Sequence, residues 1–382
     1  MVIAIDTLFL SGRYRDTGTG VYLSKLLPAC LKCAEASGSG MKFIGFAPPG
    51  EHWNRNGLGS PRLSVRRSRT LAHPKAWLLG GMAASTSLAR PDVVFMPTAH
   101  WSIPNPLIPA VTTILDAMPF RLPAEIIGGC RRLRGMTRIN ARLARRIITI
   151  SSWSKRDLVD IFNLDPGRVT VTYLGYDKNL FNTESLDGEA AGRLLSGLGV
   201  RRPFILHHGM VQLRKNLVRL IHAWERLSEA PGALDAQLVL AGPPGLGYEQ
   251  IRQAAEASPR REQIIFTGSL EAADLAALVK CAALCVVPSL YEGFCLPLVE
   301  SMACGVPTVA SRASCIPEIS GGILEYFDPG SEEEMAESMR RAIEDSSLRD
   351  RLRRNGLARA AGFSWEGCAR QTLEVFAEAA AN

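Results

Sequence analysis

Short apolar runs alternate with longer stretches of helical periodicity along most of the chain. The first run, residues 2–5, ends at Asp6, and residues 21–33 then place apolar side chains at helical spacing. Short continuous apolar runs are typical of strands that are buried on both faces. Further runs predict strands at 43–46, 93–96, 111–115, 147–150 and 169–173. This alternation predicts a parallel sheet in an α/β domain.

A second series with the same alternation begins at Pro203. Its predicted strands are 204–207, 237–241, 264–267 and 284–287, and its predicted helices are 217–227, 250–257 and 272–280. Residues 176–202 carry no strand signal, so we place the linker there. We expect an N-terminal domain at 1–180 and a C-terminal domain at 181–363. Ser364 is a suitable N-cap for a final helix within 364–382.

The composition is that of a globular chain with room for two cores. Its 382 residues fit two domains of ordinary size. Asp6 interrupts the apolar start and no basic segment precedes it, so we expect no cleavable signal. We also expect no membrane span, because the nearest candidate, residues 93–115, contains four prolines. The nine cysteines do not suggest a disulfide framework in a chain of this length, and the close pairs Cys30/Cys33 and Cys281/Cys285 lack the further ligands of a zinc site. We expect most of the cysteines to be small buried apolar residues in a reducing cytoplasm.

Positive charge is concentrated in the first half of the chain. Residues 1–190 carry 24 Lys and Arg against 14 Asp and Glu, whereas residues 191–382 carry 20 against 23. The two halves therefore have formal charges of +10 and −3, which give the net +7 of the whole chain. A basic front half indicates an anionic partner, for which nucleic acid and membrane phosphates both qualify.

The basic residues are densest between 131 and 146. On a helical wheel the arginines, except Arg132, share an arc of about 120°, and apolar side chains fill the opposite side. The arginines are Arg131, Arg132, Arg134, Arg138, Arg142, Arg145 and Arg146, and the apolar residues are Leu133, Met136, Ile139, Leu143 and Ile147. We expect a basic amphipathic helix, weakened by Gly135, whose apolar face packs on its own domain. The residues that would extend this basic patch are Arg62, Arg66, Arg67 and Arg69.

Two interpretations of this helix stay open. Its cationic face is either simply solvated, or it contacts an anionic membrane leaflet, where each cation contributes roughly 1 kcal/mol. An acceptor glycan carried on a lipid diphosphate would lie at such a surface. We expect no nucleic-acid partner, because such sites interleave aromatic residues with the cations and this segment has none.

The segment 291–305, Tyr-Glu-Gly-Phe-Cys-Leu-Pro-Leu-Val-Glu-Ser-Met-Ala-Cys-Gly, places two carboxylates eight residues apart. Glu292 falls on a tight loop beside Gly293, and Glu300 falls in a helix that Pro297 can start. The unpaired N–H groups at that helix start favour an anion. One carboxylate can therefore hold sugar hydroxyls and the other a ribose, with a phosphate between them. The alternative is a capped core helix with two solvated glutamates.

This motif resembles the Glu-x7-Glu donor site of retaining GT-B glycosyltransferases, above all glycosyltransferase family 4. The segment Phe-Ile-Leu-His-His-Gly at 204–209, followed by Arg214-Lys215-Asn216, is similar to a strand, loop and helix of that family. The resemblance covers nearly the whole chain and is strongest from 204 to 330. It implies an α/β protein of GT-B fold, with two facing Rossmann-like domains, parallel sheets and a C-terminal helix that crosses back to the first domain.

The resemblance assigns the donor nucleotide sugar to the C-terminal domain and the acceptor to the N-terminal domain. It implies that Glu292 holds the donor sugar and Glu300 the ribose, while Arg214 and Lys215 stabilise the leaving diphosphate. The other donor-binding residues it implies are Gly18, Thr19, Gly20, Gly209, Ser269, Leu270, Gly293, Phe294, Cys295 and Leu296. The chain contains no Asp-x-Asp pair, so we expect no metal and no cofactor. The alternative for residues 214–216 is that Asn216 caps a helix and that Arg214 and Lys215 are surface cations. The alternative for residues 18–20 and 269–270 is that they form ordinary turns without a binding role.

Two positions depart from the family pattern. Cys295 stands where the family usually has Gly, so its side chain narrows the expected sugar pocket. Leu115 stands where the family often has His, which leaves Asp116 without its usual neighbour. His100 is a second candidate on the acceptor side. Either His100 or Asp116 would orient or deprotonate an acceptor hydroxyl, and the alternative for both is a structural role.

These observations predict a retaining, metal-independent hexosyltransferase. Because no strong nucleophile is evident on the acceptor side, the resemblance implies same-face attack, in which the departing phosphate takes the acceptor proton. Similarity to bacterial mannosyltransferases of surface-polysaccharide assembly points to GDP-mannose as donor and to a glycan or polyprenyl-diphosphate-linked glycan as acceptor. It also favours a cytoplasmic protein on the inner face of the plasma membrane. The alternatives are a UDP-sugar epimerase of the same fold and a catalytically silent binding subunit, which Leu115 leaves open.

Overall fold

The computed structural model describes residues 1–12, 17–47, 59–67, 77–229 and 235–381. The chain divides into two compact units. Unit 1 comprises Met1–Arg121, Cys130–Gly175 and Ser364–Asn382, and unit 2 comprises Leu122–Gly129 and Tyr176–Phe363. Each unit contains one parallel β-sheet, so the predicted class, an α/β protein with two parallel sheets, is confirmed.

The strands are short and mostly buried segments. Those of unit 1 are β1 (Val2–Asp6), β2 (Lys42–Ala47), β3 (Leu63–Arg67), β4 (Val93–Met96), β5 (Ala110–Thr113), β6 (Arg146–Thr149) and β7 (Val169–Val171). Those of unit 2 are β8 (Phe204–His208), β9 (Gln237–Ala241), β10 (Ile264–Gly268), β11 (Leu284–Val287), β12 (Thr308–Ser311) and β13 (Glu325–Phe327).

Helices connect most of these strands. In chain order they are α1 (Gly18–Ala36), α2 (Met82–Ala89), α3 (Met118–Arg121), α4 (Ala124–Ile127), α5 (Arg131–Leu143), α6 (Ser152–Phe162), α7 (Gly188–Gly197), α8 (Leu217–Glu229), α9 (Tyr248–Ala257), α10 (Ala272–Cys281), α11 (Leu296–Ala303), α12 (Ile316–Ser320), α13 (Glu332–Glu344), α14 (Ser346–Ala361) and α15 (Trp365–Ala381). Helices α4 and α7 to α14 belong to unit 2. None of the helices in the described ranges is long and apolar enough to cross a bilayer.

The order of the strands reverses once in each sheet. The order is β3-β2-β1-β4-β5-β6-β7 in unit 1 and β10-β9-β8-β11-β12-β13 in unit 2, and every neighbouring pair is parallel. The reversals lie between β1 and β4 and between β8 and β11. Open α/β sheets bind ligands at the carboxyl ends of the strands that flank such a reversal. The loops after these four strands are therefore the expected location of a site.

The final helix, α15, returns to unit 1 and packs on α1. The ring centroids of Phe376 and Phe95 are 5.0 Å apart, and those of Trp365 and Tyr22 are 6.5 Å apart. A Cβ on Gly175, the last residue before unit 2, would lie 2.1 Å from the backbone nitrogen of Trp365, so these segments are in direct contact. The predicted return of the C-terminal helix to the first unit is confirmed.

Some predicted elements differ from those observed. The strand predicted at 111–115 ends two residues earlier, at the end of β5. The linker predicted at 176–202 contains helix α7, whose first turn is capped by the side chain of Asp187. No apolar run predicted β3, because this edge strand alternates half-buried Leu63 and Val65 with exposed residues.

The basic helix predicted across 131–146 is shorter in the structure. Helix α5 ends at Leu143, and β6 begins at Arg146, so Arg145, Arg146 and Ile147 are not part of the helix. The sequence of these residues is compatible with the end of a helix and with the start of a strand. In the structure Arg146 and Ile147 pair in parallel with β5 and therefore belong to the strand.

The predicted extension of the basic patch is wrong. Arg62 and Arg66 belong to the segment around β3, at one edge of the sheet, and four strands separate β3 from β6. The guanidinium of Arg62 donates to the carbonyl oxygen of Met41 at 3.0 Å, which keeps it close to its own loop. Arg69 and the side chain of Arg67 lie outside the described residues.

The predicted packing face of α5 is wrong for Ile139 and Leu143, whereas Leu133 and Met136 are half-buried. The buried residues of this helix are Thr137, Asn140 and Ala141. The amide of Asn140 donates to the carbonyl oxygen of Ala99 at 2.6 Å, so a polar contact fixes the rotation of the helix. Ile139 and Leu143, which the wheel places inward, are 42% and 44% exposed. The exposed face of α5 therefore carries apolar side chains as well as arginines.

Candidate active site

A buried carboxylate lies between two cations at the carboxyl edge of the sheet in unit 2. Glu292 is in the loop after β11 and is 6% exposed. Nζ of Lys215 lies 2.6 Å from Oε1 of Glu292, and Nη1 of Arg214 lies 2.8 Å from Oε2. The hydroxyl of Ser289 donates to Oε1 at 2.7 Å. Burial alone raises the pKa of Glu292, but the two cations outweigh burial and lower this pKa to about 2.

The structure contradicts the alternative in which these cations lie on the surface. Lys215 is 4% exposed, and Arg214 also donates to the carbonyl oxygen of Tyr291 at 2.8 Å. Asn216 has a left-handed φ of 59° before α8, and its amide donates to the carbonyl oxygen of Pro329 at 2.7 Å. Of the four residues predicted to be catalytic, Glu292, Arg214 and Lys215 are thus brought together, with a combined formal charge of +1, and Asp116 lies in unit 1.

Glycine residues allow the loops around this cluster to approach each other. Gly209, directly after β8, has a φ of 122°, and a Cβ there would lie 3.5 Å from Cγ of Pro297 and 3.8 Å from Nζ of Lys215. A Cβ on Gly242, after β9, would lie 2.1 Å from the carbonyl oxygen of Gly209. The loop after β8 therefore lies against the start of α11, and a side chain on Gly242 would force it to move.

Helix α11 starts in the way that the sequence predicts. Pro297 lies in its first turn, where no N–H donor is needed, and Cys295 precedes it with a left-handed φ of 72°. The thiol of Cys295 is buried, which raises its pKa to about 12. Phe294 packs edge-to-face on Phe363 at 5.4 Å between ring centroids. The backbone from Gly293 to Leu296 thus leads into a helix start whose N–H groups favour an anion.

The second carboxylate of the motif lies on α11, beside a histidine that the sequence motif did not identify. The side chain of Glu300 is 18% exposed, and its Oε2 lies 3.7 Å from Nδ1 of His208. Nε2 of His208 lies 3.0 Å from the hydroxyl of Ser301. Burial, and then Lys215, lower the pKa of His208 to about 4, so His208 is neutral near pH 7. Its position at the carboxyl end of β8, beside the strand reversal, is the signal that could have identified it.

Ser269 and Leu270 follow β10 at the same edge of the sheet, two strands away from β8. The backbone N–H of Gly242 donates to the carbonyl oxygen of Gly268 at 3.0 Å, which joins the loops after β9 and β10. Ser269 is exposed and Leu270 is half-buried. Ser269 and Leu270 therefore lie, like Gly209, in the loops that follow the strands at the carboxyl edge of this sheet.

The acceptor-side candidates line one cavity of about 500 Å³ in unit 1. Its walls include Gly18, Thr19, His100, Leu115 and Asp116, together with the aromatic residues Phe9, Trp101 and Phe120. Residues 18–20 form the first turn of α1 and not the predicted loop, because Thr17 caps this helix by accepting from the N–H of Gly20 at 3.2 Å. Gly18 and Thr19 of the predicted glycine segment therefore line the same cavity as the acceptor-side candidates His100 and Asp116.

His100 and Asp116 differ in their surroundings. Burial lowers the pKa of His100 to about 4, and its Nε2 lies 3.0 Å from the hydroxyl of Thr98. His100 is therefore neutral near pH 7 and a weak base. Asp116 is half-buried, and its Oδ1 accepts from the N–H of Met118 at 2.9 Å. A carboxylate held in this way at a cavity wall can orient a hydroxyl group or accept its proton.

The low pKa of Glu292 predicts a specific loss of stability in acid. A carboxylate with a pKa near 4.5 in the unfolded chain and about 2 in the folded one stabilises the fold above pH 4.5, and this contribution is lost as the pH falls towards 2. At pH 7 we expect Glu292→Gln to lower the free energy of unfolding by about 3 to 5 kcal/mol, because the buried Lys215 and the half-buried Arg214 lose their partner. At pH 3 this difference should shrink by about 2 kcal/mol.

Urea unfolding of the wild type and the variant at both pH values measures this difference. Glu337→Gln is the matched control, since it removes an exposed carboxylate that pairs with Arg340 at 2.6 Å. Exposed ion pairs contribute at most about 1 kcal/mol, so the control should show a small effect at both pH values. An equally large effect of Glu292→Gln at pH 3 and pH 7 would contradict the proposed charge state of the cluster.

Comparison with curated proteins identifies relatives of the chain. Residues 196–359 match the family model described as Glycosyl transferases group 1. O-antigen chain mannosyltransferase B of Escherichia coli is 29% identical over 278 residues, which are 72% of this chain and 72% of that protein. MMP alpha-(1->4)-mannosyltransferase of Mycolicibacterium hassiacum is 33% identical over 259 residues, which are 66% of this chain and 59% of that protein.

Solved structures share the fold over nearly the whole chain. The crystal structure of Anabaena Alr3699/HepE in complex with UDP and glucose matches with a TM-score of 0.74 and 19% identity, and covers 99% of both chains. That of WaaG, a glycosyltransferase involved in lipopolysaccharide biosynthesis, matches with a TM-score of 0.67 and 16% identity, and covers 98% of this chain and 99% of WaaG. Residues 196–359 therefore belong to the group 1 glycosyltransferases, family 4, and the chain is a retaining hexosyltransferase with the GT-B fold.

Proposed function

We propose that the protein transfers mannose from GDP-mannose to a glycan, or to a polyprenyl-diphosphate-linked glycan, in the assembly of a bacterial surface polysaccharide. Two of its relatives carry the name mannosyltransferase, one of them for an O-antigen chain, which supports both the sugar and the type of acceptor. The observation that carries the proposal is the buried cluster of Glu292, Arg214 and Lys215, with its net positive charge beside the start of α11.

The cluster suits a leaving nucleoside diphosphate. Glu292 fixes the side chains of Arg214 and Lys215, and their charge can stabilise the negative charge that develops on the diphosphate as the sugar departs. The N–H groups at the start of α11 add to this stabilisation. Glu300, one turn further along, binds the ribose hydroxyls. The geometry supports a positioning role for Glu292 towards the cations, in addition to the sugar contact that the family resemblance implies.

The cavity in unit 1 suits the acceptor. Its wall combines the first turn of α1 with aromatic side chains such as Trp101, which can pack against a sugar ring. Because His100 is neutral and only weakly basic, Asp116 is the group that orients the attacking hydroxyl. Leu115 offers no proton-transfer group at the wall of this cavity. The departing phosphate then takes the acceptor proton, and attack on the same face of the sugar retains its configuration.

A transfer assay with GDP-mannose and a polyprenyl-diphosphate-linked glycan tests this function. We expect mannose on the acceptor with retained anomeric configuration, and the same rate after addition of EDTA, because the protein's own cations stabilise the diphosphate. Glu300→Ala should raise the KM for GDP-mannose about ten- to hundredfold, since a charged hydrogen-bond partner of the ribose is lost.

The control for Glu300→Ala is Glu333→Ala, an exposed carboxylate on α13, which should leave the KM unchanged. Near-normal kinetics of Glu300→Ala would remove this residue from the donor site. An epimerised nucleotide sugar without any acceptor product would favour the epimerase alternative. Loss of transfer in EDTA would contradict the role given to Arg214 and Lys215.

We further propose that the protein is cytoplasmic and contacts the anionic inner face of the plasma membrane through the exposed face of α5. On the helical wheel, one side of this face carries Arg131, Arg138 and Arg142, and the other carries the exposed Ile139 and Leu143. Helices that lie in a membrane interface combine these features, because their apolar side chains insert while their cations meet lipid phosphates. The unexpected rotation of α5 thus supports the membrane interpretation over a merely solvated face.

Binding to vesicles of phosphatidylglycerol and phosphatidylethanolamine tests this surface. Arg138→Gln/Arg142→Gln should weaken sedimentation with vesicles about thirtyfold, because each cation near the surface contributes roughly 1 kcal/mol. The control Arg351→Gln/Arg354→Gln removes the same charge from exposed positions on α14 and should have little effect. Equal losses in both double variants would show that net charge, and not α5, determines the binding.

A further inference from the structure

A second cavity, of about 550 Å³, opens in unit 2 and shares no residue with the cluster around Glu292. Helix α11 separates the two sites along the chain. Its first residue, Leu296, follows the donor loop, whereas Cys304, directly after its last residue, lies in the wall of this cavity. An eight-residue helix is about 12 Å long, so the cavity lies at the opposite end of α11 from the donor site.

Three cations and one carboxylate line this cavity. The cations are Arg202, Lys280 on α10 and Arg353 on α14, and the carboxylate belongs to Glu184. Nζ of Lys280 donates to Oδ1 of Asn182 at 2.6 Å and lies 3.4 Å from the carbonyl oxygen of Glu184. These contacts are to neutral groups. The lining therefore has an excess of two positive charges.

None of the three cations forms an ion pair within the part of the chain that the structure describes. Many other arginines of unit 2 do form one. The closest N–O distances are 3.0 Å for Arg201–Asp235, 3.0 Å for Arg312–Glu334 and 2.7 Å for Arg341–Glu325. Cations that converge on one cavity without a carboxylate partner favour an anion there, because their mutual repulsion is then relieved.

The cavity has room for a small organic molecule. Gly188 and Gly192, one turn apart on α7, both line it, and a Cβ on either would meet no atom within 4 Å. The hydroxyl-bearing Thr183 and Ser185 lie in the same wall and can bond to neutral parts of a ligand. The volume falls within the range of about 300–1,000 Å³ that is usual for small-molecule sites.

We propose that this cavity binds a small phosphorylated metabolite, such as a hexose phosphate, through Arg202, Lys280 and Arg353. Guanidinium groups match phosphate oxygens in a bidentate geometry, and a lysine adds a point charge. A phosphate dianion balances the excess of two positive charges, which a single carboxylate does not. The hydroxyl groups of the wall suit the polar remainder of a sugar. The site is independent of the donor nucleotide and of the sugar that the enzyme transfers.

Calorimetric titration of the full-length protein with glucose 6-phosphate tests this site. We expect saturable binding that persists in Glu300→Ala, because that substitution affects only the donor site. Lys280→Gln/Arg353→Gln should raise the Kd at least about tenfold, since two charge-assisted contacts are lost. Its affinity for GDP should stay unchanged, which shows that unit 2 is folded. The matched control is Arg354→Gln, next to Arg353 on α14 but outside the cavity wall.

A second pair of variants tests the cavity by its volume. Gly192→Trp fills the space beside α7 and should abolish binding of glucose 6-phosphate, whereas Gly192→Ala adds only a methyl group and should preserve it. Inorganic phosphate and glucose are titrated in parallel. Tight binding of inorganic phosphate would identify the free ion as the ligand of the same cations, and binding of glucose with equal affinity would overturn the proposal.

Two further results would overturn it. One is the absence of binding by both glucose 6-phosphate and inorganic phosphate. The other is binding that Glu300→Ala abolishes while Lys280→Gln/Arg353→Gln and Gly192→Trp leave it intact, because the phosphate would then occupy the donor site. Neither result bears on transfer from GDP-mannose, which the assay of mannose on the acceptor tests separately.

Discussion

The proposed donor site depends on the burial of Glu292 between Lys215 and Arg214. A buried charge without a partner costs several kcal/mol, so Glu292 is tolerated here because Lys215 and Arg214 both contact its carboxylate. The contact joins the segment after β8 to the loop after β11, 77 residues apart in sequence. These segments meet because β8 and β11 pair in parallel at the strand reversal. The sheet topology therefore fixes where this cluster lies in unit 2.

The histidines at the same edge do not add to this charge. Burial and the neighbouring Lys215 lower the pKa of His207 to about 3 and that of His208 to about 4, so both are neutral near pH 7. The charge beside these histidines then comes from Arg214, Lys215 and Glu292. A fixed positive charge of this kind suits stabilisation of a leaving diphosphate, whereas proton transfer is better served by groups that titrate near pH 7.

The sequence predicted the buried centre of each sheet and the residues that cluster around Glu292, but not the elements whose pattern is weak or ambiguous. The strands at 93–96, 237–241 and 284–287 were predicted with their observed limits, because continuous apolar runs have few other stable environments. β3 was missed because it is a half-exposed edge strand. The rotation of α5 was predicted wrongly, since the hydrogen bond from Asn140 to Ala99 depends on tertiary structure that no helical wheel contains. His208 was missed for the same reason, because only the folded sheet brings it beside Glu300.

A crystal structure of the protein with bound GDP is the most direct test of the central claim, that a carboxylate-held pair of cations binds the donor diphosphate. We expect phosphate oxygens within hydrogen-bond distance of Lys215 and Arg214 at the start of α11, and the ribose hydroxyls at Glu300. A nucleotide bound elsewhere in unit 2, or a magnesium ion that bridges the phosphates to the protein, would contradict it.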